Sequence, residues 1–475
     1  MSGDRDEAAG LFVDLPQQAR PAPPAIGAPR LRTPERRQVE LRAVSLDELL
    51  APDHRARFVW AFVERLDLSA LYAAIKAVEG HPGHPAADPR LLLALWLYAT
   101  VEGVGSTREL DRLCREHIGF QWLCGGVSLN PVTLGTFRVA HGAVLEHLLI
   151  DGFAAMLQSG QASLERVAQD GMRVRASAGA ASFRRRASLE RCRAAAAARL
   201  AELRAELDAD PGALSRRQAG QRQRAARERQ HRVEAALAAL DQLADTRQPS
   251  GKPAQDKAPP ARGGDDQGVG PGPAEAVAAR TGAPKRRPAE PRASSTDAEA
   301  RGMKMADGGF RPAFNLGLAS DPTSGLIAAV TLDNAGSDMG KLAAMSDKLA
   351  HDYARRPTEH LADGGFVALA EIERLAAASV AVFAPVPMPR DAARERYAPL
   401  ANDGPGVAAW RTRMGTETAK AIYKERAATA ECVNGQCRNR GLWRFPVRGL
   451  AKAKAVALLH ALAHNMMASW RLCVA

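Results

Sequence analysis

The sequence predicts a mixed α/β protein: an all-α domain comes first, followed by a sheet flanked by helices and interrupted by a helical insert. Three observations predict this. Apolar residues recur at three- and four-residue steps between Leu46 and Leu148. Short stretches beyond residue 163 alternate apolar with polar side chains. An Ala/Arg/Glu/Leu-rich tract then separates the first of these stretches from the others. At 475 residues the chain is longer than the ~250 to 300 at which a single core usually stops growing, so two or more folded parts are expected.

Residues 1–43 are rich in proline, alanine and arginine without an apolar period, and read as a disordered tail. Residues 44–150 read as a helical domain, with Leu49, Leu50, Phe58, Ala61, Phe62, Leu66, Leu92, Leu93, Leu95 and Leu97 at helical spacing. Ser106 with Glu109 three positions on forms a capping box for a helix expected to end near Gly119. Residues 120–129 are then expected to turn. Asn130 and Pro131 open a further helix that carries Thr133, Thr136 and Arg138 in its first turns. A helix, a turn and a second helix with a polar N-terminal face suit docking in the major groove of DNA, with those three residues as its contacts. The spacing is equally that of an ordinary bundle with a polar turn.

A strand is expected over 163–176, where Met172, Val174 and Ala176 alternate with Arg173 and Arg175. Residues 183–247 follow as an inserted antiparallel helical pair, with Leu200, Leu203 and Leu207 on one member and Val233, Leu237 and Leu240 on the other. Residues 248–296, rich in Pro, Gly, Lys and Asp, read as a disordered linker. Residues 151–182 and 297–475 therefore make one domain split by the insert. In its second piece Phe314, Leu316 and Leu318 alternate, Asp321 to Gly325 supply turn chemistry, and Leu326 to Leu332 return as a hairpin partner. Helices around 341–354 and 367–377 and strands ending at Asp363 and spanning about 379–384 complete the sheet.

A net charge of +12 and a pI near 9.7 imply a polyanionic partner, with DNA the first expectation. Six cysteines lack Cys-x-x-Cys spacing. No stretch approaches the ~20 apolar residues that span a bilayer, and the N-terminus lacks the basic start and apolar core of a signal peptide, so the expected compartment is the cytoplasm, without a membrane partner. His460 and His464 stand four apart among Leu459, Leu462, Met466 and Met467, a core pattern.

Three carboxylates stand out. Asp170 and Asp363 each close a short apolar stretch and run into glycine, while Glu431 rides a helix that Thr416 can cap. At 100° per residue Tyr423, Glu431 and Arg438 fall within about 80° of one another. Converging carboxylates suit two Mg²⁺ ions, which need hard oxygen ligands and can activate an attacking oxygen while stabilising a leaving one. Asp321, Asp333 and Asp338 are second choices; Asp321 is expected to begin a turn and Asp338 to cap a helix.

The string from Ile422 to Arg426, with Glu431 to Gly441 and Arg444 to Leu450, resembles the C-terminal signature of bacterial insertion-sequence transposases of the Asp-Asp-Glu class. Asp170 to Ala176, Met303 to Asn315, Leu361 to Phe366 and the helical region 44–148 resemble further parts of the same family. The resemblance implies a ribonuclease H-like fold, with Asp170, Asp363 and Glu431 as catalytic ligands of two Mg²⁺ ions that Mn²⁺ can replace. It also implies that Tyr423, Arg426 and Arg438 position DNA. The implied activity is cleavage of double-stranded DNA at the element's ends and joining of the freed 3′-hydroxyl to a target, by a homo-oligomer on paired ends. Two departures stand: Gly317 lies where the family often has glutamine, and the distal basic residue is arginine. A nuclease that never joins strands and a DNA-binding regulator without catalysis are the alternatives.

Overall fold

A computed structural model describes residues 43–80, 84–209, 215–245, 290–389, 391 and 393–474. The expected tail, apart from its last residue, and most of the expected linker lie outside these residues.

Eight helices come first: α1 (Leu46–Leu49), α2 (Arg55–Glu64), α3 (Ser69–Ala73), α4 (Pro89–Val101), α5 (Thr107–Glu116), α6 (Ile118–Cys124), α7 (Pro131–Ala140) and α8 (Gly142–Gln158). Their starts are written in the sequence. The Ser106 hydroxyl accepts from the Glu109 amide, and Asn130 Oδ1 accepts from the amides of Val132 and Thr133, satisfying N–H groups that a helix start leaves unpaired. One expectation is corrected here. Half of the span expected to turn between α5 and α7 is helix α6, whose Phe120 and Leu123 are buried and which Gly125 ends in the left-handed conformation.

The sheet begins with β1 (Arg166–Arg175) and continues, after the insert, with β4 (Arg301–Lys304), β5 (Phe310–Ser320), β6 (Ile327–Asp333), β7 (Glu359–Leu361) and β8 (Ala381–Phe383); β2 (Phe183–Arg184) and β3 (Ala293–Ser294) form a separate small ladder. The main order is β4-β5-β1-β7-β8, with β6 on the same edge of β5 as β4. Strand β5 runs antiparallel to β1, whereas β7 is parallel to β1 and β8 to β7. The alternation read along β5 is seen in Phe314, Leu316 and Leu318, all buried, and Asp321 turns the β5–β6 hairpin by accepting from the Ser324 amide and hydroxyl. Helices α11 (Leu342–Tyr353) and α12 (Leu369–Ala377) flank this sheet.

The insert is a pair of long helices, α9 (Arg186–Ala209) and α10 (Arg216–Asp245). They are antiparallel, because Leu189 near the start of α9 shares a cluster with Val233, Leu237 and Leu240 near the end of α10. The β3 strand pairs with β2, so Ala293 and Ser294, expected within the linker, are strand.

Helices α13 (Pro405–Met414), α14 (Glu417–Arg426), α15 (Cys432–Asn439) and α16 (Leu450–Val474) end the chain. Buried Leu458, Leu459 and Leu462 of α16 join Leu93, Trp96 and Leu134 of the N-terminal helices and Val174, Phe314 and Leu316 of the sheet in one continuous core. The N-terminal helices thus rest on the C-terminal helix. Among the described residues no single helix is long and apolar enough to cross a membrane; α7 and α8 meet that test only as a pair bent by 62°.

Candidate active site

Strand pairing brings the two aspartates together. Ala168 on β1 lies opposite Leu361 on the parallel strand β7, so Asp170 and Asp363, each two residues further on, come to neighbouring positions at one end of the β1–β7 pair. Their surroundings differ from the sequence expectation in one respect. Asp170 does not close its strand, since β1 continues through Gly171, opposite Gly317, to Arg175. Asp363 does follow its strand, and caps a short 3-10 turn by accepting from the Gly365 amide at 2.8 Å.

On the side where a side chain would stand, Gly171 packs against Asp338: a Cβ there would lie 2.8 Å from Asp338 Oδ1. Asp338 is buried and bonded to Arg173 and Asn315, and it does not cap α11, whose N-cap is Lys341. Asp321 is taken up by its turn, and Asp333 pairs with Lys341. These second-choice carboxylates are therefore structural.

Glu431 reaches the site through a helix irregularity. Thr416 caps α14, as expected, by accepting from the Ala419 amide. Between α14 and α15 a π-helical turn spans Ala427–Glu431, a rare widening that concentrates at functional sites. The wider turn brings Glu431 back over Arg426 five positions earlier, and Arg426 Nη2 donates to Glu431 Oε1 at 3.1 Å. Arg426 Nη1 also stands 3.8 Å from Asp170 Oδ1, and its guanidinium lies 5.8 Å from the Tyr423 ring centre. One guanidinium thus bridges two of the three expected ligands.

Asp170 accepts from the Gly171 amide at 2.9 Å and from Asn434 Nδ2 at 2.8 Å. Burial holds its carboxyl above the usual range, and Asp363 pushes it the same way, while the Gly171 amide, Arg426 and Asn434 oppose them. For Arg426, burial disfavours the charge, but Tyr423, Asp170 and Asp363 outweigh it and the pKa is raised. Asn434 escaped the sequence reading. Its only signal is its place one helical turn beyond Glu431.

The donor set suits Mg²⁺, since all three groups are hard carboxylate oxygens. Among the described residues, however, no three acidic, histidine or cysteine side chains stand together as one metal-holding group. Asp170 and Asp363 are neighbours; Glu431, 60% exposed at its side chain, is turned to Arg426 instead.

Beside this site runs an open groove of about 720 Å³, whose lining includes Gly171, Arg173, Arg175, Lys304, Arg311, Arg438 and Trp443. Arg173 is bonded to Asp338 and Arg311 to Asp307. Arg175, Lys304 and Arg438 are exposed and form no ion pair among the described residues. Arg438, expected on the face of Glu431, instead reaches Met172 Sδ with its Nε at 3.2 Å and fronts the groove.

The helical-domain candidates part company. Thr136 is exposed and Thr133 half-buried on α7. Arg138 is 8% exposed, donates from Nη1 to the Gly105 carbonyl at 2.5 Å, and lies 4.6 Å from the Trp96 ring centre. It faces the interior, because the i+4 step from Leu134 keeps it on the buried side of α7. Arg138 is thus not on the surface that the helix-turn-helix reading requires. His460 and His464 pack in the core, the latter donating from Nε2 to the Gly325 carbonyl at 2.9 Å.

Comparison with known families gives two matches: a family model described as a transposase domain covers residues 44–139, and one described as a transposase DDE domain covers residues 406–469. The first contains Thr133, Thr136 and Arg138; the second contains Tyr423, Arg426, Glu431 and Arg438. No curated protein and no solved structure matches the chain.

Proposed function

We propose, for a chain that belongs to the insertion-sequence transposases of the Asp-Asp-Glu class, that Asp170, Asp363 and Glu431 form the reacting centre for DNA cleavage and strand transfer. The observation that carries this is the shared guanidinium of Arg426, which ties Glu431 to Asp170 although 261 positions separate the two in sequence. The strand order β6-β5-β1-β7-β8, antiparallel on one side of β1 and parallel on the other, supports a ribonuclease H-like reading of the sheet.

Asp170 and Asp363 would hold divalent cations, Mg²⁺ or Mn²⁺, with Glu431 as the third ligand once it releases Arg426. Such ions, when bound, supply charge that activates an attacking oxygen and stabilises a leaving one. The protein's own part is positional. Asn434 and the Gly171 amide fix the Asp170 carboxylate, and Arg426, freed by Glu431, is placed to bind a phosphate oxygen bidentately. Arg175, Lys304 and Arg438 would hold the strand backbone along the groove. Thr133 and Thr136 on α7 remain candidate DNA contacts, and a homo-oligomer would pair two ends.

The test is an assay of the purified full chain on a duplex carrying the DNA that flanks its gene, with Mg²⁺. Cut ends and joined product are expected. Cutting with no joining, even from pre-cleaved ends, makes the protein a nuclease; binding with neither makes it a regulator.

A further inference from the structure

A second cavity, of about 320 Å³, lies where the N-terminal helices meet the C-terminal stretch. The helices contribute Trp96, Thr100 and Arg138; the other wall carries Arg440, Trp443 and His460. Both family-matched segments therefore build it. Its polar groups are in deficit of acceptors. Arg138 spends Nη1 on the Gly105 carbonyl, but its buried Nε has no partner; Arg440 Nη1 is buried and unpartnered as well. No carboxylate pairs with either guanidinium among the described residues, and burial lowers the pKa of both.

Arg138 is buried and Arg440 half-buried, and neither has a counter-charge among the described residues, which is costly because a charge taken out of water loses hydration that nothing here replaces. An anion entering the cavity offsets that cost. His460 is kept neutral there by burial and by Arg440, with its pKa pushed down to about 3, so it adds no positive charge of its own. Guanidinium groups match phosphate oxygens in pairs. Trp443, 55% exposed, lines both this cavity and the basic groove beside Asp170, which makes the two spaces neighbours. Its ring offers a face on which a base can stack.

We propose that this cavity is a phosphate-binding site, built by Arg138 and Arg440, which takes the phosphate of a nucleotide unit at the end of the groove. That the phosphate belongs to DNA rests on the transposase reading; that the site takes phosphate does not. Arg138 and Arg440 lie outside the carboxylate centre, so the two readings can fail separately.

The experiment is thermal unfolding of the full chain titrated with inorganic phosphate, with chloride at matched ionic strength as the reference. A saturable rise in Tm is expected for the parent protein. In Arg440→Gln, half-saturation should move up at least tenfold, while Lys76→Gln, at an exposed residue that lines neither the cavity nor the groove, keeps the parental response. Circular dichroism confirms that each variant is folded; Arg440→Lys, which keeps the charge but loses the paired geometry, serves where Arg440→Gln is not. A 5′-phosphorylated oligonucleotide that raises the phosphate needed for half-saturation identifies a DNA phosphate as the ligand, and a response indifferent to it identifies a free small anion. No phosphate response in the parent, or an unchanged one in both Arg440 variants, overturns the proposal.

Discussion

Asn434 donates from Nδ2 to Asp170 Oδ2 at 2.8 Å, so helix α15 and strand β1 meet on one carboxylate. Groups that orient a ligand from behind typically matter by about 10- to 100-fold in affinity or activity. Asn434→Ala should therefore lower end cleavage by about that factor while end binding, followed by gel shift, stays parental. A variant that cuts at the parental rate removes Asn434 from the positioning of Asp170.

Arg175, Lys304 and Arg438 front the groove without ion pairs among the described residues. A side chain that neutralises one phosphate should contribute about one unit to the slope of log affinity against log salt. Lys304→Ala and Arg175→Ala should each reduce that slope by about one, and weaken binding to unrelated duplexes equally. A slope that does not move places the backbone elsewhere.

Gly171 lies against a buried carboxylate, and the methyl group of an alanine there would meet Asp338 Oδ1 at only 2.8 Å. Gly171→Ala should cost about 1–3 kcal/mol of stability by overpacking, read in a denaturant titration. Thr136→Ala, on the exposed side of α7, should leave stability within about 0.5 kcal/mol of the parent.

Burial pushes the pKa values of His360 and His464 down to about 4, against about 6.5 in an unfolded chain. Between these values the unfolded chain binds more protons than the folded one, so stability is full above about pH 6.5 and falls as pH drops towards about 4. His360 alone, fully buried with Nε2–H on Gln169 Oε1 at 2.8 Å, accounts for up to about 3 kcal/mol of that loss. His360→Gln should flatten the fall in Tm between pH 6.5 and 5; an unchanged slope excludes the histidine as its source.

What the sequence made legible was what local pattern dictates. The helical period of Leu92 to Leu97, the caps at Ser106 and Thr416, the alternation through Met172 and Val174 and the turn at Asp321 all express short-range chemistry, and the structure places each where expected. Helix α6 was missed because seven residues, Ile118–Cys124, span too few turns to display a period.

Long-range packing was not legible. Arg138 reads as a surface residue at the start of a recognition helix, yet its position against Trp96 and the C-terminal stretch buries it. Asp170 and Asp363 were singled out from their neighbours alone, while what aligns them is a parallel register between β1 and β7 that a single sequence does not state. The π turn at Ala427–Glu431 is equally silent, because a widened turn has no composition of its own. It nevertheless determines the partner of Glu431.

The most direct measurement is Mg²⁺-dependent end cleavage by the parent and by Asp170→Asn, Asp363→Asn and Glu431→Gln, each matched for end binding. If the three carboxylates form one reacting centre, every substitution abolishes cutting and leaves binding in place. Parental cleavage by any one of them contradicts the account at that residue, and by Asp170→Asn it contradicts the centre as a whole.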